Sequence, residues 1–419
     1  MNSKINLFLL GIVLSMLACK SEKPAKVYIP NDIVIAHRGS TYWTPEETEA
    51  AYRWARNIGA DYLEVDIQRS KDGVLLALHD EDLCRTTNIE QHFPQRKTES
   101  ANSFTYEELM ELDAGSWFNK ANPERKREGF TSDAHRILVN MPAVAFQKNG
   151  EKIIHPKHET SVYIGGQQYI STLEDIIRIA EGYCIARDFH GKRLYTKTKE
   201  NGKIHYTFFY VKDPKDTQNR PGVYIETKEP NLFPGVENDL FIALDRLNWN
   251  ILTKKETDNT RFKNAKVNLG NTSAKIILQT FSPSSLSHLY QNFKGQLPSC
   301  FLLWLGDKNM PKNDSLNYAF NIKIAQKLGA HIIGPSIAGA PNNYADLLTN
   351  ENYQWIKQAG FQIHPYSFDT KNQTKKYGEY SNGMFTNRAE LTINYYISQG
   401  KRPYNEQADA IKTLDNLGY

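Results

Sequence analysis

One pattern constrains this chain more than any other: short apolar runs alternate with segments whose apolar residues recur at three- and four-residue spacing. The runs lie at 33–37, 62–66, 74–79, 222–228, 275–280, 300–305, 331–334 and 360–365, and helix-period segments at 46–58, 172–180, 236–247, 284–292, 317–328, 344–359 and 387–398. Strand followed by helix, repeated, predicts a parallel sheet, because parallel neighbours need a crossover between them. Eight such units predict a closed α/β barrel, the TIM (β/α)8 fold, over residues 33–419. The 419 residues exceed the roughly 250 such a barrel uses, so excursions are expected. Two regions supply them. The stretch 92–166 is charged and rich in turn residues, and 183–221 carries the polar–aromatic alternation Tyr206-Thr207-Phe208-Phe209-Tyr210 of a β-hairpin. Both are expected to leave from strand-end loops, where barrel sites are built.

The first helix is expected to open at Thr44-Pro45-Glu46-Glu47, with Thr44 as the cap, proline at the first helical position and an acid closing a capping box. Ala51, Trp54, Ala55 and Ile58 then form one apolar face, and Gly59 ends it. The charge balance, 51 basic against 47 acidic residues, is too even for a nucleic-acid partner. No 18-residue apolar run occurs, which excludes a polytopic membrane protein.

Residues 1–18 differ in character. Lys4 precedes a mostly apolar stretch from Ile5 to Leu17, too short to span a bilayer and suited to a signal peptide. The ending Leu17-Ala18-Cys19 resembles a bacterial lipobox, in which Cys19 becomes the lipidated first residue, although Met16 departs from the usual leucine. An ordinary secretory signal cut elsewhere is the alternative. Residues 19–32 then form the lipidated N-terminus and tether, and the expected location is a bacterial cell envelope, facing the periplasm or the exterior. Cys84, Cys184 and Cys300 show no paired spacing, so neither a disulfide framework nor a zinc site is expected.

Ionisable residues gather at the apolar-run endings. His37-Arg38 ends the first run, Glu64 and Asp66 share one face of the second, and His79-Asp80 ends the third. Glu226 and Lys228 end the fourth and Gln279 the fifth. Singly each has a bland reading: a structural histidine, solvated rim acids, an ion pair. Together, crowded at one barrel mouth, they require a cation and an anion between them. Three carboxylates without cysteine suit a hard divalent ion, Ca2+ or Mg2+.

The ordered string Ile35-Ala36-His37-Arg38-Gly39, Pro45-Glu46-Glu47-Thr48, Leu63-Glu64-Val65-Asp66, Asp72-Gly73 and His79-Asp80 resembles the signature of the glycerophosphodiester phosphodiesterases. Arg85-Thr86-Thr87-Asn88, Ile225-Glu226-Thr227-Lys228, Gln279-Thr280-Phe281 and Gly383-Met384-Phe385-Thr386-Asn387 agree with it, so the resemblance runs from about residue 33 to 397. It implies a TIM barrel and hydrolysis of glycerophosphodiesters to sn-glycerol 3-phosphate and an alcohol. By that resemblance Glu64, Asp66 and Glu226 are metal ligands, His37 and His79 the acid–base pair, and Arg38 and Lys228 the phosphate-binding cations. Glu46 matches a rim glutamate, while Glu47 stands where asparagine is commoner; both read equally as helix N-terminal acids. Trp304 is expected to line the pocket against the substrate, and Phe281 reads as pocket or core. Two alternatives are a same-fold lyase that stops at a cyclic phosphate and a non-catalytic surface lipoprotein that only binds such ligands.

Overall fold

The computed structural model describes residues 27–131, 141–155, 166–254, 257, 260–403 and 408–419. The expected signal segment, Cys19 and the start of the tether lie outside the described residues. Eight parallel strands stand side by side in chain order: β1 (Ile33–Ala36), β2 (Tyr62–Arg69), β3 (Gly222–Thr227), β4 (Ile276–Thr280), β5 (Ser299–Leu303), β6 (Ile332–Pro335), β7 (Gln362–Ile363) and β8 (Gly383–Thr386), with β8 paired to β1. The ring closes between β7 and β8. There the Asn382 N–H donates to the Ile363 carbonyl at 2.8 Å, the Phe385 N–H to the Pro365 carbonyl at 3.2 Å, and the Asn382 side chain accepts from the Ile363 N–H at 3.0 Å.

A helix follows each strand: α1 (Glu49–Ile58), α2 (Leu173–Ala180), α3 (Val236–Arg246), α4 (Pro283–Phe293), α5 (Ser315–Lys327), α6 (Asn350–Gln358), α7 (Lys371–Tyr377) and α8 (Ala389–Ser398), and a last helix, α9 (Ala410–Leu417), packs on α1. This is a (β/α)8 TIM barrel. No helix among the described residues is long and apolar enough to cross a membrane.

The number of strands is as expected, but one member differs. The run 74–79 is not a barrel strand; it contributes Leu75–Ala77, antiparallel to β2. The eighth place belongs to Gly383–Thr386. Helix α1 also starts later than expected. Its cap is Thr48, whose hydroxyl accepts from the Ala51 N–H, and Glu47 has a left-handed φ of 56°.

Period-two alternation along each strand sorts side chains between two cores. Val34, Leu63, Val65, Val223, Ile225, Ile276, Leu278 and Phe301 pack outward on the helices. Ile33, Ile35, Tyr62, Tyr224, Ile277, Cys300, Leu302 and Phe385 fill the barrel interior. Continuing the inward rows past this apolar layer gives Glu64 and Asp66 after Tyr62, Glu226 after Tyr224, and Gln279 after Ile277. The chemistry thus sits at the mouth because the inward parity runs out of apolar residues there.

The first excursion leaves from the mouth side, between β2 and α2. The second does not, contrary to expectation: it connects α2 to β3, a helix-to-strand connection. The two co-fold. Strands Lys152–Ile154, Val144–Phe146, Tyr210–Lys212 and Tyr183–Ile185 form one antiparallel sheet drawn from both regions, and Tyr195–Glu200 pairs with Lys203–Phe208 in the expected hairpin. Buried ion pairs fasten this lobe to the barrel: Asp213 with Arg53 at 2.8 Å and Arg56 at 2.6 Å, and Arg187 with Glu49 at 2.9 Å.

At the opposite end, residues 28–32 belong to the barrel floor. The Tyr28 N–H donates to Ser273 Oγ at 2.8 Å, the Ile29 carbonyl accepts from Gln362 Nε2 at 3.2 Å, and Arg261 bridges the Asp32 carbonyl and Asp61.

Candidate active site

At the end of β1 the chain makes the tight turn His37–Gly39, with Arg38, Gly39 and Ser40 all at positive φ (51°, 84° and 73°). A side chain at residue 39 would meet Ala51 of α1, since a Cβ there would lie 2.5 Å from the Ala51 Cβ. The turn aims the Arg38 N–H at Glu64 Oε2, 2.7 Å away. Parallel register places Glu226 beside Asp66 and Gln279 beside Glu226.

Glu64, Asp66 and Glu226 are buried, and each offers a carboxylate oxygen within 4.8 Å of the others. Gln279 Nε2 donates to Glu64 Oε1 at 2.7 Å. Asp66 Oδ2 lies 3.2 Å from Arg38 Nε without hydrogen-bond alignment and is otherwise unpartnered. Burial, with the Asp66 and Glu226 charges, pushes the Glu64 carboxyl well above its usual range. Burial raises Glu226 to about 8 although Lys228 Nζ sits 3.3 Å from its Oε1. Asp66 is also buried, but the charges of Lys228, His79 and Arg38 hold its carboxyl below the usual range. An all-oxygen set, crowded enough to resist ionisation and holding one orphaned oxygen, fits a hard divalent cation.

The two histidines are tied at Nδ1 by different partners. His37 Nδ1 meets Asn387 Oδ1 at 2.9 Å, and Asn387 Nδ2 donates to Asp369 Oδ1 at 2.8 Å. A carboxylate only accepts, so the Asn387 amide must present its oxygen to His37. His79 Nδ1 meets the Asp80 carboxylate at 2.7 Å. Asp80 in turn pairs with Arg85, which forks onto both oxygens of Glu46 at 2.7 and 2.9 Å. Burial, then the Arg38 charge, lowers His37 to about 3. Burial and Arg38 also lower His79, against the opposing hydrogen bond that its Nδ1–H donates to Asp80.

Glu46 and Glu47 therefore do not act as helix N-terminal acids. Glu46 lies on the rim, 3.5 Å from Arg38 Nη1 and paired with Arg85. Glu47 is buried beneath it, with Oε1 accepting from the Asp66 N–H at 2.8 Å.

A cavity of about 540 Å³ opens over this constellation. His37, Arg38, Glu64, His79, Glu226, Lys228 and Trp304 line it, with Asp66 beneath. Every expected site residue except Cys19 is thus brought to one place. Phe281 lines the cavity and also packs on the barrel-interior core, so both of its readings hold. Sequence reasoning assigned no role to Arg85, Asn387, Asp369, Tyr344 or Tyr366. Only Arg85 and Asn387 stood in segments that carried the resemblance.

The model of the glycerophosphoryl diester phosphodiesterase family matches residues 37–233. A glycerophosphodiester phosphodiesterase of Bacillus subtilis (strain 168) is 24% identical over 364 residues, covering 86% of this chain and 84% of that relative. A glycerophosphoinositol inositolphosphodiesterase of Homo sapiens is 40% identical over 94 residues; they make up 22% of this chain and only 17% of the relative's length. Among solved structures, one from Silicibacter pomeroyi DSS-3, bearing the name glycerophosphoryl diester phosphodiesterase, superposes with a TM-score of 0.55 at 15% identity, covering 89% of this chain and 96% of that one, a likeness of fold. With His37, Glu64, His79 and Glu226 facing one cavity of a TIM barrel, this chain carries over residues 37–233 the domain of the glycerophosphoryl diester phosphodiesterase family.

Proposed function

We propose that the protein hydrolyses glycerophosphodiesters to sn-glycerol 3-phosphate and an alcohol, using Ca2+ or Mg2+ held by Glu64, Asp66 and Glu226. One observation carries this reading: three converging carboxylates, two cations and two separately anchored imidazoles face a single cavity. When bound, the ion supplies Lewis-acid polarisation of the phosphoryl oxygens. Arg38 and Lys228 offset negative charge that builds at phosphorus. His37, kept neutral by burial and with Nδ1–H given to Asn387 Oδ1, offers an Nε2 lone pair as the base. His79, whose Nδ1 bond to Asp80 opposes the lowering by burial and Arg38, gives its Nε2 proton to the leaving alcohol. The reading extends to the N-terminus: acylation of Cys19 holds the enzyme at a bacterial envelope membrane.

The test is a coupled assay for glycerol 3-phosphate release from a panel of glycerophosphodiesters, with and without chelator. Glu226→Gln is expected to lower turnover by more than about 100-fold. Full activity of that variant after exhaustive chelation would remove the metal from the proposal. A cyclic phosphate as sole end product in phosphorus NMR would move the protein to the lyase class.

A further inference from the structure

One side of the cavity is aromatic, lined by Phe281, Trp304, Tyr344 and Tyr366, and the proposed hydrolysis makes no use of it. Its rings form one continuous wall. Lys228 Nζ lies 5.6 Å from the Phe281 centroid; Phe281 meets Tyr366 at 5.9 Å, Tyr366 meets Tyr344 at 5.9 Å, and Tyr344 meets Trp304 at 5.2 Å. The contacts are edge-on or tilted, and the Tyr366 hydroxyl is anchored on the Leu303 carbonyl at 2.6 Å. The wall therefore has direction. It starts at a cation on the phosphate side and ends at Trp304, which is 42% exposed.

Charge is distributed along the same direction. Each cation lining the cavity is engaged: Arg38 with Asp66, Lys228 with Glu226, Arg85 with Glu46 and Asp80. Outside the Glu64–Asp66–Glu226 cluster, two carboxylates lining it are not. Asp307 is folded back beside Trp304, its N–H donating to the Trp304 carbonyl at 3.2 Å. Its Oδ1 accepts from the Asn309 N–H at 2.8 Å, and among the described residues the Asp307 carboxylate has no cationic partner. Glu229 lines the same cavity, exposed and likewise without an ion pair among the described residues.

We infer that the outer half of the cavity is a subsite for a quaternary ammonium head group, so that the preferred substrates are glycerophosphodiesters of a trimethylammonium alcohol. Indole and phenol faces attract a cation through their quadrupoles, tryptophan most strongly, and need no hydrogen bond from it. The Asp307 carboxylate completes the counter-charge beside Trp304, at the end of the wall away from Lys228, and Glu229 adds a second negative charge to the cavity lining. An anionic head group meets repulsion there, and a neutral polyol gains neither the charge attraction nor the cation–ring contact. The inference rests on the phosphodiesterase reading above and specifies its substrate.

The test measures kcat/KM for sn-glycero-3-phosphocholine and sn-glycero-3-phosphoglycerol with the full chain, for the wild type, Asp307→Asn and Trp304→Leu. The wild type is expected to favour the choline diester at least ~10-fold, the scale of one partly desolvated cation–ring contact. Each variant is expected to lower that ratio at least ~3-fold, mainly through KM. A ratio measured on one protein sample is insensitive to partial misfolding. A wild-type ratio near one, or a ratio that neither variant changes, overturns the subsite while leaving the phosphodiesterase reading intact. Cleavage of neither diester overturns both.

Discussion

Two imidazoles share the cavity, and what stands behind each sets its chemistry. A neutral amide holds His37 and a carboxylate holds His79. Since Asp80 opposes the downward shift of His79, Asp80→Asn lowers the His79 pKa further. The limb of the pH–kcat/KM profile that needs His79 protonated is then expected to move to lower pH. An unmoved limb would mean that His79 is not the acid. The sequence displayed His37 and His79 but not Asn387, which lies 350 positions from the ring it orients. Pattern alone also misled at residues 44–48. Thr44-Pro45-Glu46-Glu47 has the spacing of a helix start, but the Asp66 N–H and the Arg85 guanidinium claim the two glutamates, and Thr48 caps instead. Partners distant in sequence decided between two local readings of equal merit.

At the scale of elements the sequence was legible wherever strand and helix alternate in register, and it failed at two places. The run 74–79 is apolar enough for a buried strand. Yet the turn Ser70-Lys71-Asp72-Gly73 joins it to β2 directly, and four residues cannot make the crossover a parallel neighbour needs, so it folds back antiparallel. Strand β8 spans four residues, with threonine its one β-branched member, and carries little strand signal. The excursions were visible as interruptions, but their joint sheet was not, because its pairings cross between two regions. The lobe depends on Asp213, which pairs with two fully buried arginines. Asp213→Ala leaves Arg53 and Arg56 uncompensated and is expected to cost ~3–5 kcal/mol in denaturant unfolding, the usual penalty for breaking a buried pair from one side. A cost below about 1 kcal/mol, the level of an exposed pair, would show that the lobe is held by its apolar contacts instead.

For the whole molecule, a cation held by the carboxylate cluster would link binding to stability. Ca2+ or Mg2+ at a hundredfold excess over its dissociation constant is expected to add about 2.7 kcal/mol, seen as a rise of a few degrees in melting temperature over a chelated sample. Glu226→Gln should erase most of the rise; a melting temperature indifferent to both ions would argue against the site. Cys19→Ser is expected to shift the protein from the membrane to the soluble fraction, and retention after a salt wash would count against acylation. The seating of Tyr28 and Ile29 in the barrel floor bears on how substrate arrives. Residues 20–26, even fully extended, reach only ~25 Å. Acyl chains on Cys19 would moor the floor to the lipid surface and turn the catalytic opening toward the aqueous side. Intact phospholipids of the same leaflet would then be out of reach, and the enzyme would act as a scavenger of deacylated diesters brought to it by diffusion.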